Sequence, residues 1–260
     1  MNPGLMGAVS LSASHVVLLI LGGVGAGIFN GVAGGGSLIS FPILLALGYP
    51  ALTANITNTV GIWPGYAGSA AGFRKEISGQ RGHLVNLTPI AALGGVAGAL
   101  LLLTTSSALF RTLAPWLVLG ASILFALQPL LRRALGGSAH APPRTRPLLL
   151  AGGTFAASIY GGYFGAGLGV LLLAILGLAL PDSILRTSGL RTALSILVNG
   201  VAAAVFLIHG GLAWEAVGLL AAGSLVGGWV GARIALSIPA NALRVVVVVV
   251  GLATVVKLLV

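Results

Sequence analysis

The stretch "GVAGGGSLISFP", residues 31–42, interrupts an apolar run with three consecutive glycines and a serine. Glycine inside a helix costs about 1 kcal/mol relative to alanine. Backbone that leaves the helix within a membrane must be buried in protein or line a watery cavity. Gly34, Gly35 and Gly36 therefore predict an interrupted helix, and Ser37 is expected to cap the short helix that follows.

The composition indicates a membrane protein. Of the 260 residues, 57% are hydrophobic and 6% are charged, whereas soluble domains carry about 25% charged residues. Apolar runs long enough to span a bilayer recur, and the 41 glycines suit close helix packing in lipid. The sequence thus predicts an all-α polytopic membrane protein. Its net charge of +10 is thinly spread, which predicts no nucleic-acid binding.

The sequence contains one unit twice. With a shift of 131 residues, "IFNGVAGGG" lies over "IYGGYFGAG" and Pro50 lies over Pro181. Each half predicts a glycine-broken helix pair followed by three spanning helices. The predicted repeats are residues 1–131 and 148–260, joined by a cytoplasmic linker, residues 132–147, that is rich in Pro, Gly and Arg.

The predicted helices occupy equivalent positions in the two repeats. They cover about 15–33, 37–48, 50–73, 84–104 and 112–131 in the first repeat, and about 148–164, 168–180, 181–208, 214–235 and 240–259 in the second. The first 14 residues lack Lys and Arg, so we expect a retained first helix rather than a signal peptide.

The positive charges predict that the repeats are inverted. Arg74, Lys75 and Arg81 mark one loop, and arginines also mark the linker, so both are expected on the cytoplasmic side. The equivalent loop of the second repeat, residues 209–211, has no Lys or Arg and is expected outside. Inverted repeats with broken helices are typical of secondary transporters, whose substrate binds near the midplane.

The glycine breaks predict an anion site. Each short helix presents its N-terminus, with free N–H groups and a positive dipole, at membrane depth. Close packing of glycine-rich helices without a ligand is the alternative. The residues predicted to bind the anion at the breaks are Gly34, Gly35, Gly36, Ser37, Gly165 and Gly167.

Polar side chains follow each break. Counted from Pro181 at 1.5 Å per residue, Arg191 is expected about 15 Å into the membrane. An intramembrane ionisable residue is a functional candidate, and snorkelling or carbonyl pairing is the alternative. Arg186 either contacts the substrate or pairs with Asp182, one turn before it. The remaining predicted site residues are Thr57, Asn58, Thr187 and Ser188.

These motifs resemble the TauE/SafE family of sulfite and organosulfonate exporters. The resemblance rests on "GIFNGVAGGGSLISFPILLALGYP" and "TNTVGIWPGYAGSAAGFRKE" in the first repeat, and on "GGYFGAGLGVLLLAILGLALP" and "RTSGLRTALS" in the second. It implies transport of small sulfur-containing anions across the bacterial cytoplasmic membrane, often outward. The second copy departs from the motif at Ala166, which replaces a glycine.

The predicted function is a secondary transporter that exports sulfite or organosulfonates by alternating access around the midplane site. We predict no enzymatic activity, no cofactor and no metal site. Protons are the expected coupling ion, and Glu215 is either a proton carrier or a surface residue. Flipping of a lipid with an anionic head group is an alternative, as is a non-transporting membrane subunit.

Overall fold

A computed structural model describes residues 12–32, 34–136, 145–234 and 240–259. Within these ranges the chain forms eleven α-helices and no strand. The helices are α1 (Ala13–Val32), α2 (Ser37–Ala46), α3 (Ala51–Gly72), α4 (Arg74–Ser78), α5 (Arg81–Thr104), α6 (Ser107–Gly136), α7 (Pro147–Tyr163), α8 (Leu168–Ala179), α9 (Ile184–His209), α10 (Trp214–Ile234) and α11 (Ala240–Leu259). Four of these described helices, α1, α5, α6 and α9, are long and apolar enough to cross a membrane. The predicted all-α polytopic fold is confirmed.

The order of helices follows the prediction, with local differences. Helix α9 begins at Ile184 rather than at Pro181, because the hydroxyl of Ser183 accepts a hydrogen bond from the backbone N–H of Arg186 and caps the helix. Helix α6 is longer than predicted, and the short helix α4 was not predicted. Most of the predicted linker and the first 11 residues, on which the expectation about a signal peptide rests, lie outside the described residues.

The short helices α2 and α8 fold back along the helices that precede them. A Cβ built on Gly22 of α1 would lie 2.7 Å from Cδ1 of Ile43 in α2. A Cβ built on Gly153 of α7 would lie 2.7 Å from Cγ2 of Ile175 in α8. Each pair of helices is therefore a re-entrant hairpin, and the glycine break is its tip.

The first helix of each half packs against a helix of the other half. Helix α1 lies along α10, and α7 lies along α5. The contacts are Gly227 with Val24 and Gly231 with Ile28 at the first interface, and Gly94 with Phe155 and Gly98 with Ile159 at the second. At each of these glycines a Cβ would lie between 2.0 and 2.8 Å from a backbone atom of the neighbour. Residue numbers rise together across both interfaces, so the helices in each pair run parallel.

Helices α3 and α9, which hold equivalent positions, run in opposite directions. The side-chain amide of Gln80, just after α3 and α4, donates to the carbonyl oxygen of Arg186 in the first turn of α9. Further along α9, the carbonyl oxygen of Ile196 accepts a hydrogen bond of 3.2 Å from Nε1 of Trp63 in α3. The end of α3 therefore lies beside the beginning of α9.

The two equivalent loops consequently lie at opposite ends of the bundle. Residues 79–80 contact the beginning of α9. The backbone N–H of Ala213 donates to Oγ1 of Thr57, near the beginning of α3, at 3.0 Å. An inverted repeat requires this placement, and the inversion itself stays a prediction with a direct test.

Aromatic rings hold the two hairpin tips against α6. The rings of Phe41 in α2 and Phe164 at the second tip pack edge to face, with centroids 5.5 Å apart. Phe110 of α6 packs against Phe164 at a centroid distance of 6.5 Å. All three rings are buried in the main apolar cluster of the bundle.

The inversion predicts opposite sidedness for two exposed positions, Ser78 and His209. The chain has no native cysteine, so single cysteines placed at these positions can be labelled separately. In membrane vesicles, a membrane-impermeant maleimide should reach Ser78→Cys from the cytoplasmic side and His209→Cys from the outside. Labelling of both variants from the same side would contradict the inversion.

The parallel interfaces predict that α10 tolerates alanine at one glycine and not at another. A Cβ on Gly227 would lie 2.1 Å from the carbonyl oxygen of Val24, whereas a Cβ on Gly218 would meet nothing within 4 Å. Gly227→Ala should lower the melting temperature of the purified protein. Gly218→Ala should leave it unchanged or raise it, because alanine favours the helix by up to about 1 kcal/mol. Equal effects of the two variants would mean that this contact does not limit stability.

Candidate functional site

The two hairpin tips have the same backbone geometry at their first glycine. Gly34 and Gly165 both have a φ of +80°, a conformation that favours glycine. The N–H of Gly34 donates to the carbonyl oxygen of Phe29 at 2.9 Å, and the N–H of Gly165 donates to that of Tyr160 at 3.3 Å. The shift that aligns the two sequences therefore also aligns these hydrogen bonds.

Each of the three glycines in the first break excludes a side chain for a different reason. A Cβ on Gly34 would lie 3.1 Å from a backbone Cα of α8. A Cβ on Gly35 would lie 1.9 Å from Cζ of Phe125 in α6, and one on Gly36 would lie 2.2 Å from the carbonyl oxygen of Ala26 in α1. Three successive glycines thus let three helices pack on one turn of chain.

The two tips differ at the residue before the short helix. Gly36 is right-handed, with a φ of −55°, whereas Gly167 is left-handed, with a φ of +81°. Gly36 holds the cap position of α2, so the prediction that Ser37 caps this helix is wrong. Ser37 is already the first helical residue, and the side chain of Asn30 takes its place: its Oδ1 accepts from the N–H of Gly36 at 2.8 Å.

Arg191 of α9 lies where the two hairpin tips meet. The residue is 2% exposed. A Cβ on Gly34 would lie 3.0 Å from Nη1 of Arg191, and a Cβ on Gly169, in the first turn of α8, would lie 3.3 Å from the same atom. Tyr66 of α3, which is also buried, is within electrostatic range of the guanidinium. The structure therefore places the arginine singled out by the sequence between the two glycine breaks.

Arg186 and Glu215 lie at the ends of their helices. Nη1 of Arg186 is 3.4 Å from Oδ1 of Asp182, and the arginine side chain is 51% exposed. Its Nη2 also donates to the carbonyl oxygen of Gly79 at 3.3 Å. Glu215 is exposed in the first turn of α10, and the pKa of Tyr49 nearby is raised by burial and by the Glu215 charge. These placements favour the ion pair for Arg186 and the surface role for Glu215.

Buried polar side chains of α2 and α3 connect the two tips. The hydroxyl of Ser40 donates to Oδ1 of Asn58, and it lies 3.3 Å from the carbonyl oxygen of Gly36. Nδ2 of Asn55 donates to the carbonyl oxygen of Tyr163, the last residue of α7, at 2.9 Å. The three side chains are at most 1% exposed. Helix α3 is thus tied by amides to both hairpins.

The remaining predicted hydroxyls are buried but contact other parts of the bundle. Thr57 accepts from Ala213, and Oγ1 of Thr187 donates to the carbonyl oxygen of Ser183 at 3.0 Å. Ser188 is 9% exposed. The predicted site residues that the structure gathers at the hairpin tips are Gly34, Gly35, Gly36, Ser37, Gly165, Gly167 and Arg191.

Sequence reasoning missed Asn30 and Ser40. Both are polar residues at helical spacing from the glycine break, four positions before Gly34 and four after Gly36, and that spacing was the available signal. The contact of Phe125 with Gly35 joins distant parts of the chain and has no local sign. Among the described residues, no group of three or more His, Cys, Asp or Glu side chains could hold a metal ion.

Two re-entrant hairpins that meet at a buried cationic side chain, inside a bundle of apolar helices, are the architecture of a membrane transporter. The chain belongs to the sulfite exporter TauE/SafE family, whose sequence profile matches residues 19–258. It is a multi-pass membrane protein of a transporter family, and the resemblance seen in the motifs is confirmed.

Curated relatives carry transporter names. The chain is 30% identical over 243 residues to the "Probable membrane transporter protein ORF9" of Sinorhizobium sp, over 90% of this chain and 88% of that protein. It is 27% identical over 247 residues to a "Probable membrane transporter protein" of Haemophilus influenzae, over 90% of each. It is 25% identical over 240 residues to the "Probable membrane transporter protein YfcA" of Escherichia coli K12, over 90% and 86%. No solved structure matches the chain significantly.

The contact between Gly35 and Phe125 predicts a rescue. Gly35→Ala should lower the melting temperature, because overpacking costs about 1–3 kcal/mol. Adding Phe125→Leu removes ring atoms from that space, so the double variant should be more stable than Gly35→Ala alone. Gly120→Ala, at an α6 position where a Cβ meets nothing within 4 Å, is the control. A double variant no more stable than Gly35→Ala would show that another contact limits the first tip.

Proposed function

We propose that the protein is a secondary transporter that exports small sulfur-containing anions, such as sulfite or organosulfonates, across the bacterial cytoplasmic membrane. The observation that carries the proposal is the buried guanidinium of Arg191 between the tips of the α1–α2 and α7–α8 hairpins. Its charge, the helix ends around it and the family of the chain each support an anionic substrate.

Electrostatics favour an anion at the hairpin tips. An arginine at mid-membrane costs about 2.5–3.5 kcal/mol on insertion scales. Helices α2 and α8 both begin at the tips, so their N-terminal dipoles add positive potential near the same point. A cation and two helix N-termini repel one another electrostatically, and a bound anion relieves that repulsion.

The sulfur chemistry of the proposal comes from the family, which is described as a sulfite exporter family. Sulfite and sulfonates present several oxygens to a binding site. A planar guanidinium can donate to two of these oxygens at once, and such charge-assisted pairs are about twice as strong as neutral hydrogen bonds. The substrate site is proposed to include Gly34, Gly35, Gly36, Ser37, Thr57, Asn58, Gly165, Gly167, Arg186, Thr187, Ser188 and Arg191.

Alternating access around the hairpin tips is the proposed mechanism. Arg191 is enclosed in this structure. At one end of the bundle the segment after α3 is tied to α9 through Gln80 and Arg186, and at the other end the loop before α10 is tied to α3 through Ala213 and Thr57. We propose that these two contacts open in turn, and that protons are the coupling ion.

Lipid handling is the second candidate, because the bundle has a lateral groove. This apolar groove of about 310 Å³ runs along Trp116 to Leu124 of α6 and includes Tyr160 of α7. It opens at the helix surface, beside the tip where Ala121 packs near Gly167. A lipid whose head group reached the tips would place its chains there. Flux of a water-soluble anion separates the two candidates.

The proposed function predicts that charge at position 191 is required. Arg191→Gln should weaken binding of methanesulfonate and sulfite about tenfold or more, equivalent to about 1.4 kcal/mol, and should reduce their flux into liposomes. Arg186→Gln, which removes the same charge from a half-exposed side chain paired with Asp182, is the matched control and should have a smaller effect. Isotherms in detergent and flux in liposomes give the two measurements.

Three outcomes would overturn the proposal. Equal effects of Arg191→Gln and Arg186→Gln would remove Arg191 from the site. Movement of labelled anionic lipid without movement of sulfite or sulfonates would favour lipid handling. Wild-type protein that binds and moves neither class would favour a non-transporting subunit.

A further inference from the structure

The side chain of Asn30 presents a buried donor at the first hairpin tip. Asn30 lies in α1 and is 3% exposed. Its Oδ1 accepts the N–H of Gly36, which fixes the orientation of the carboxamide and leaves Nδ2 on the other side. Nδ2 is buried and meets no hydrogen-bond acceptor among the residues that the structure describes. A buried donor of this kind costs about 1–3 kcal/mol when it stays unsatisfied.

This donor belongs to the same turn of chain as the contact with Arg191. The carboxamide holds Gly36, and the guanidinium lies against Gly34, two residues earlier. The hydroxyl of Ser40 and the amide of Asn58 complete a buried polar chain on the α2 side of the turn. One tip therefore combines a fixed positive charge with an oriented neutral N–H group.

Holding Gly36 does not explain the whole carboxamide. The backbone contact uses the oxygen alone, and any short side chain with an acceptor oxygen would satisfy it. The second half shows that a hairpin tip needs no amide, because the equivalent of Asn30 there is Gly161 and its tip has the same first hydrogen bond. The NH₂ group of Asn30 needs another reason.

We propose that Asn30 is a substrate-binding residue whose Nδ2 donates to an oxygen of the anion that Arg191 neutralises. The inference rests on the proposed function, because it assigns a second donor to the same site. An anion recognised in this way must offer one oxygen to the guanidinium and another to the amide. The chemical class is an oxyanion head group with at least two free oxygens, as in a sulfonate.

The decisive variant is Asn30→Asp, tested with methanesulfonate, which stays a monoanion across the pH range of the experiment. The new side chain keeps an oxygen for the N–H of Gly36 and has almost the same shape. When ionised it carries no donor and repels the anion, and when protonated its hydroxyl donates again. Affinity should fall about tenfold or more at alkaline pH and recover at acidic pH to within about twofold of wild type.

Asn86→Asp is the matched control, since it makes the same chemical change at an exposed position of α5. Its affinity for methanesulfonate should follow that of wild type at every pH. Asn30→Ser is the second variant, and it serves if the carboxylate prevents folding. It removes the amide donor without adding charge, so affinity should fall about tenfold at every pH.

The outcomes separate this inference from the proposed function. If wild type binds methanesulfonate and Arg191→Gln does not, while Asn30→Asp and Asn30→Ser bind like wild type, then Asn30 only holds Gly36 and the inference is wrong. A loss in Asn30→Asp that is the same at every pH, with Asn30→Ser unaffected, would also overturn it. If wild type binds no sulfonate and no sulfite, the proposed function itself fails.

Discussion

A positive charge enclosed within an apolar bundle is the constraint on which the rest of the structure depends. The guanidinium of Arg191 lies against Gly34 and Gly169, and those two residues also contact each other through their backbones. Two segments of chain can approach a buried guanidinium and one another this closely only where both lack side chains. The glycine breaks, the folding back of α2 and α8, and the helices that hold both hairpins in place all serve that contact.

The backbone is repeated more faithfully than its chemistry. Under the shift of 131 residues, Asn30, Ser40 and Asn58 correspond to Gly161, Leu171 and Gly189, and Arg191 corresponds to Val60. The first half therefore supplies buried amides and a hydroxyl, and the second half supplies the charge. A repeated scaffold brings two helix N-termini together, whereas the divergence of the halves makes the space between them chemically one-sided. A ligand with unlike ends fits such a space better than a symmetric one.

The features visible in the sequence are those with a local physical cause. Apolar length, glycine runs and the positions of Pro50 and Pro181 identify the helices, the breaks and the family, because each acts within a few residues. The folding back of α2 and α8 was not predicted, since an apolar helix of 10 or 12 residues is too short to span a membrane and its length does not fix its direction. The cap at Gly36 was assigned to the adjacent Ser37, but it comes from the preceding helix. The ring that covers Gly35 comes from α6, which no pattern in α1 could indicate.

The pairing of α1 with α10 has a consequence for how the chain is made. Gly23 of α1 packs against Gly223 of α10, so the first helix to enter the membrane waits for a partner near the end of the chain. Until then, the glycine face of α1 is exposed to lipid. Membrane insertion and final packing must therefore be separate events, and a nascent chain released before α10 emerges would leave the first hairpin without its main support. Quality control during synthesis can then act on a half-made transporter whose helices are already inserted.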